Sequence, residues 1–133
     1  MSEYLFTYGT LKPGHAPDEI APAIGKLTPI GTGFVHGLLY DLGDYPGAVL
    51  DPTSQRRISG TIFKLSGDPS VLEQLDEYEG FDPKAPKSSL FVRTLHSVAL
   101  PSGQALKCWI YVYNRRPEPE RILESGIFTR NAI

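Results

Sequence analysis

Two features of the sequence could carry chemistry. The first is a carboxylate, Glu79, which closes the segment Ser70 to Glu79 just before Gly80. Projected at about 100° per residue, Val71, Leu72, Leu75 and Tyr78 form one apolar arc, with Glu73, Gln74 and Glu77 opposite. Glu79 falls inside the apolar arc, between Leu75 and Leu72, and so points toward the interior. A buried charge is costly unless it is paired, or else its pKa rises until the group is neutral. The bland readings are an ion pair, with Arg93 as the partner, or a frayed last turn that lets Glu79 reach solvent. The chemical reading is a general base with a raised pKa.

The second feature is Tyr8-Gly9-Thr10-Leu11-Lys12-Pro13-Gly14, directly after the first strand-like segment. Gly9 permits a backbone that aims consecutive N–H groups at one point, which would make an anion or carbonyl-oxygen site. The ordinary alternative is a tight turn. Gly9 and Gly14 have the spacing of a P-loop, but His15 and Ala16 stand where the Lys and Ser/Thr that hold phosphate and Mg²⁺ belong. Nucleotide hydrolysis is therefore not expected.

Other reactive side chains offer less. His15, His36 and His96 lack metal-ligand spacing, and only His15 is placed to line the mouth of the glycine loop. The single cysteine, Cys108, sits in the apolar run Lys107-Cys108-Trp109-Ile110-Tyr111-Val112-Tyr113 and reads as a buried packing thiol. One cysteine excludes an internal disulfide and a multi-cysteine zinc site. There is no Gly-x-Ser-x-Gly elbow and no Asp-rich loop, so serine hydrolase and calcium readings have no support.

The elements that must position these groups are mostly strands. Glu3–Tyr8, Thr32–Tyr40, Ile58–Leu65, Leu90–Leu100 and Ala105–Tyr113 alternate with period two and are rich in β-branched and aromatic residues. Turn clusters separate them: Gly43 to Gly47, Asp51 to Ser54, and Pro101-Ser102-Gly103, which reads as a hairpin. The clearest helix is Ser70 to Glu79, with Ser70 and Glu73 as a capping box and Gly80 in the left-handed position after the last turn. Asp18 to Gly25 offers one or two turns, interrupted by Pro22. Pro119 to Glu124 offers a short helix stopped by Gly126.

Composition agrees with this picture. A chain of 133 residues is expected to form one domain, spanning 1–133. With 13 glycines and 12 prolines it does not suit a helical bundle. A 41% hydrophobic share supplies a core, and a net charge of −2 lacks the basic excess of a nucleic-acid binder. No apolar run approaches the ~20 residues of a membrane-spanning helix, and no secretory signal is evident. The expectation is a soluble, cytoplasmic protein with no nucleic-acid or membrane partner.

Taken in order, the segments resemble the gamma-glutamylcyclotransferase-like superfamily. The opening Tyr8-Gly9-Thr10-Leu11-Lys12-Pro13-Gly14 is followed by Gly37-Leu38-Leu39-Tyr40, then Asp44-Tyr45-Pro46-Gly47, then Gly60-Thr61-Ile62-Phe63. Leu75-Asp76-Glu77-Tyr78-Glu79-Gly80 resembles the segment ending in the family's catalytic glutamate. Phe91-Val92-Arg93, Trp109-Ile110-Tyr111-Val112-Tyr113 and Ile122-Leu123-Glu124-Ser125-Gly126 match the later elements. The resemblance covers roughly Tyr4 to Phe128. It departs at Phe91, where the family often has Tyr, and in the composition of Phe81 to Ser89.

The resemblance implies an α+β fold: a curved, mixed, β-barrel-like sheet with a few flanking short helices. It implies cyclisation of a gamma-glutamyl amide, in which the substrate's α-amine attacks its own γ-carbonyl and releases 5-oxoproline and an amine or amino acid. Glu79 would be the general acid/base, and Tyr8, Gly9, Thr10 and Leu11 the substrate-binding loop. Tyr45 and Tyr113, with Tyr8, would wall the pocket. The partner would be a small gamma-glutamyl molecule, with no metal and no cofactor, and the chain a monomer or weak homodimer. The alternative is a non-catalytic small-molecule binding module on the same fold.

Overall fold

The computed structural model describes residues 3–8, 20–43 and 45–127. Strand β1 (Tyr4–Thr7) is the hub of the sheet. One edge runs antiparallel to β4 (Arg57–Lys64), with Tyr4 opposite Lys64 and Thr7 opposite Thr61. The other edge runs parallel to β6 (Ala105–Tyr113), at Leu5 and Trp109. Strand β2 (Thr28–Asp41) is long enough to serve two neighbours. Its first part pairs with β4, from Thr28 opposite Lys64 to His36 opposite Arg57, and its last part pairs with β3 (Pro46–Leu50). Strands β5 (Phe91–Ala99) and β6 form the hairpin read at Pro101-Ser102-Gly103, with Phe91 opposite Tyr113 and Ala99 opposite Ala105. Pairing of Phe34 with Ala99 joins β2 to β5. The result is a closed, five-stranded mixed barrel, β2-β4-β1-β6-β5, carrying β3 as an extra strand on β2.

Alternation along each strand divides the apolar residues between two cores. Phe6, Val35, Leu39, Ile58, Ile62, Val98, Cys108 and Ile110 pack together in one. Their chain neighbours Leu5, Phe63 and Tyr111 face the other, where they meet Ile20, Ala23, Ile24, Val71 and Leu75 from the helices. Helix α1 (Ala21–Ile24) and helix α2 (Pro69–Glu79) thus cover one face of the sheet. Cys108 is fully buried, as its apolar run predicts, and burial pushes its thiol up to about 11.

Three expectations need correction. Gly43 to Gly47 is read as a turn, yet Pro46 and Gly47 already belong to β3. Helix α2 begins one residue early: Asp68 is the cap, its side chain accepting from the Ser70 backbone N–H at 3.0 Å, and Pro69 takes the first turn, where its missing N–H costs nothing. Pro22 likewise sits in the first turn of α1 and starts that helix instead of interrupting it. The C-terminal reading of α2 holds: Gly80 has φ +73°, and the Phe81 N–H reaches back to the Asp76 carbonyl at 2.8 Å. Pro119–Arg121 is a single 3₁₀ turn, and Gly126 follows it with φ +68°. Among the described residues no helix is long and apolar enough to cross a membrane.

Candidate active site

Helix α2 carries two inward carboxylates one turn apart, and their surroundings differ. The buried face of the helix is Val71, Leu75 and Asp76, with Leu72 and Glu79 partly buried beside them. At about 100° per residue these five span a single arc with Glu79 near its middle and Asp76 at one edge. Tyr78 lies beyond the opposite edge and is 41% exposed, so it does not belong to the apolar arc in which the spacing places it.

Asp76 is enclosed by cationic and hydroxyl donors. The Arg93 guanidinium on β5 donates to it through Nε at 2.7 Å and Nη2 at 3.1 Å, the two-pronged geometry that suits a carboxylate. The Tyr111 hydroxyl on β6 donates to the same carboxylate at 2.7 Å. Arg93 is itself held flat, 4.4 Å from the Trp109 ring and 5.9 Å from the Phe81 ring. A cavity of about 310 Å³ opens beside this pair, bordered by Glu3, Leu72 and Glu73. Arg93, offered above as a partner for Glu79, is therefore committed to Asp76.

Glu79 has no such partner. Among the described residues no side chain forms a hydrogen bond or ion pair with its carboxylate, and burial alone pushes its pKa up to about 8. Its charge is felt by two phenols. Burial raises Tyr8 well above the ordinary tyrosine range and the Glu79 charge adds to that, while the Ala48 backbone works the other way. Tyr111 is likewise raised, first by burial, then by Asp76, with Glu79 contributing. The Tyr8 hydroxyl donates to the backbone carbonyl of Tyr111, so the end of β1 is tied to β6 beside the carboxylates.

The last turn of α2 is held in place from outside. After Gly80 the chain returns to β5 through a loop, and the Leu90 N–H donates back to the Gly80 carbonyl at 3.1 Å. The Ser89 hydroxyl accepts from the Asp82 N–H at 2.9 Å and donates to the Ala85 carbonyl at 3.0 Å. Asn114 and Arg115, just past β6, both donate to the Ser89 carbonyl, at 2.9 and 2.7 Å. The segment Phe81 to Ser89, unusual in composition, is thus pinned through its backbone. Nearby, Phe91 is buried between two tyrosine rings, 5.8 Å from Tyr45 and 5.5 Å from Tyr113. Tyr45 and Tyr113 therefore form one aromatic group with Phe91.

Of the sequence-level candidates, the structure brings Glu79 and Tyr8 together. Gly9, Thr10 and Leu11 lie outside the described residues, as does His15. Asp76 and Tyr111 were missed by sequence reasoning. The signal for Asp76 was available, because an arc centred on Glu79 takes in Asp76 and leaves out Tyr78. Among the described residues no group of three His, Cys, Asp or Glu side chains could hold a metal ion.

A model of the family described as Gamma-glutamyl cyclotransferase, AIG2-like, matches residues 5–130. The chain belongs to this family. No curated protein matches it by sequence. Its fold is similar to that of an aig2-like protein from Mus musculus, at 21% identity and a TM-score of 0.70, over 96% of this chain and 88% of that one. It is also similar to YkqA from Bacillus subtilis, at 21% identity and a TM-score of 0.68, over 96% of this chain but only 40% of YkqA. A third likeness is to PH0828 from Pyrococcus horikoshii, at 18% identity and a TM-score of 0.60, over 96% and 90% of the two chains. These identities speak for the fold, and they bear out the mixed barrel expected above.

Proposed function

We propose that the chain cyclises a small gamma-glutamyl conjugate, with Glu79 as general acid/base. The single observation behind this reading is a partly buried carboxylate, without a described partner, whose pKa lies near 8. Neutralising Glu79 through Arg93 would have been the structural use of the position, and Arg93 is engaged elsewhere. A free α-ammonium titrates at roughly 8 as well. Proton transfer between the two is close to balanced, which is where general-base catalysis is most effective.

The reaction asks little else of the protein. The α-amine, once Glu79 has taken its proton, attacks the γ-carbonyl of the same molecule and forms the ring C–N bond. Intramolecular attack carries a high effective molarity, so holding the substrate folded supplies much of the rate. The amide C–N bond then breaks as the proton on Glu79 passes to the departing nitrogen, and the extra proton still on the ring nitrogen follows through Glu79 to the same amine, which leaves as its ammonium. The products are 5-oxoproline and a free amine or amino acid, and Glu79 returns to its starting state. Backbone N–H groups of Gly9 to Leu11 would hold the substrate α-carboxylate or the developing oxyanion. Tyr45 and Tyr113, grouped with Phe91, would wall the substrate pocket.

The test is 5-oxoproline release from a panel of gamma-glutamyl amino acids and gamma-glutamyl amines, run beside Glu79→Gln. Release that depends on Glu79 supports the reading and names the conjugate. Release at the parent rate from the Gln variant removes Glu79 from the mechanism. Silence across the panel from folded protein favours the binding-module alternative.

A further inference from the structure

Resting on the reading of Glu79 just given, we infer that Arg93 is a positioning residue: by pairing with Asp76 it cancels the charge of the inward carboxylate one helical turn before Glu79 and, together with Tyr111, fixes that carboxylate in place. The observations are geometric. Asp76 and Glu79 are three residues apart on α2, so their side chains lie on neighbouring turns of one face. Asp76 is only 6% exposed, and Arg93 approaches it from β5 with both Nε and Nη2. The Tyr111 hydroxyl closes the same carboxylate from β6. The Tyr111 carbonyl in turn accepts from Tyr8, the other phenol that feels the Glu79 charge. One arginine thus joins α2, β5 and β6 next to the reacting group without being required to touch substrate.

Charged and titratable groups approach this part of α2 from three strands. Tyr8 follows β1, Tyr111 lies on β6, and Asp76 shares α2. Arg93 of β5 stands behind Asp76, and Glu3, ahead of β1, acts on Arg93 from the outer side. Without Arg93, the Asp76 carboxylate, one helical turn from Glu79, would have only the Tyr111 phenol to balance it. A like charge at that range disfavours the ionised form of its neighbour.

Arg93→Met should therefore move the Glu79 titration upward by roughly one pH unit, read directly from the ¹³C signal of its side-chain carboxyl. The rising limb of kcat against pH should move with it, while KM changes less than twofold. Removing the stranded carboxylate as well, in Arg93→Met/Asp76→Asn, should return the titration to its parent position. Arg93→Lys keeps the cation but loses the fork, and should leave the titration within a few tenths of a unit while broadening the Tyr111 signals. A purely structural Arg93 would lower stability and leave the Glu79 titration where it was. An unshifted titration in folded Arg93→Met, or a double variant that stays shifted, overturns the inference. If Arg93→Met does not fold, an Arg93→Lys titration displaced as far as a full unit does the same. The ¹³C titration needs no turnover, so a silent substrate panel defeats the proposed reaction without touching this inference.

Discussion

Asp76 and Glu79 are the same chemical group on the same helix, one turn apart, and the fold treats them in opposite ways. Asp76 receives a guanidinium and a phenol; Glu79 receives burial and no partner among the described residues. The first arrangement makes burial of a carboxylate tolerable by compensating its charge. The second leaves the cost in place, and it appears as a pKa near 8. An uncompensated group persists where its chemistry is wanted and the rest of the structure holds it there. The contrast separates a carboxylate that supports the helix from one that the helix presents.

The contrast can be broken most forcefully at Glu79. Glu79→Gln should lower turnover by about 10²- to 10⁴-fold, the usual contribution of a positioned general base, with an unchanged circular dichroism spectrum. In the parent, kcat/KM should climb with pH toward a midpoint near 8, because the free site must lose the Glu79 proton before it can accept one from substrate. A pH profile flat between 6 and 9 would contradict this (both limits being chosen about one to two units either side of that midpoint).

Asp76 should respond the other way. Asp76→Ala strands a half-buried guanidinium and a buried phenol, and should cost about 2–4 kcal/mol in urea unfolding. The two carboxylates then part in sign. The Glu79 carboxyl titrates near 4.5 when unfolded and near 8 when folded, so between those values the folded state holds the extra proton. Stability falls as pH rises through that window, and below it both states are protonated and the effect vanishes. Glu79→Gln should therefore stabilise the protein by about 1–3 kcal/mol at pH 8, less than the full shift would give because Glu79 is partly open to water, and by almost nothing at pH 4. A Gln variant less stable than the parent at both pH values would end the comparison. The smallest effect belongs to Tyr8→Phe, which removes one hydroxyl from the Tyr111 carbonyl and should cost about 1 kcal/mol by the same unfolding measurement.

Much of this was legible in the sequence because period two is a strong signal. The alternation of Phe6 with Leu5, and of Cys108 and Ile110 with Trp109 and Tyr111, is what divides the two cores. Glu79 was legible for a different reason: at the helical period, a charge inside an apolar arc conflicts with its surroundings. Strand β3 was not, because Gly43, Pro46 and Gly47 read as turn residues, whereas pairing with the end of β2 draws Pro46 and Gly47 into the sheet. The early part of β2 was hidden too, since Thr28, Pro29, Ile30 and Gly31 are exposed and carry no inward pattern. Asp76 escaped because apolar residues alone set the arc, and Tyr78 pulled it to the wrong side. A local pattern cannot reveal that an arginine 17 residues away will neutralise a carboxylate.

The parallel pairing of β1 with β6 also bears on how the molecule is made. Tyr8 and Tyr111 are 103 residues apart along the chain, yet one bonds to the other. A ribosome delivers β1 first and β6 last among the strands, so β1 waits with one edge unpaired while the hairpin of β5 and β6 is synthesised. Contacts of such long separation slow folding, since a large loop must close before they reward it. The two phenols that feel the Glu79 charge are therefore joined only after β6 has emerged. Until then a nascent chain that already contains the α2 segment carries both carboxylates and lacks the wall that gives them different fates.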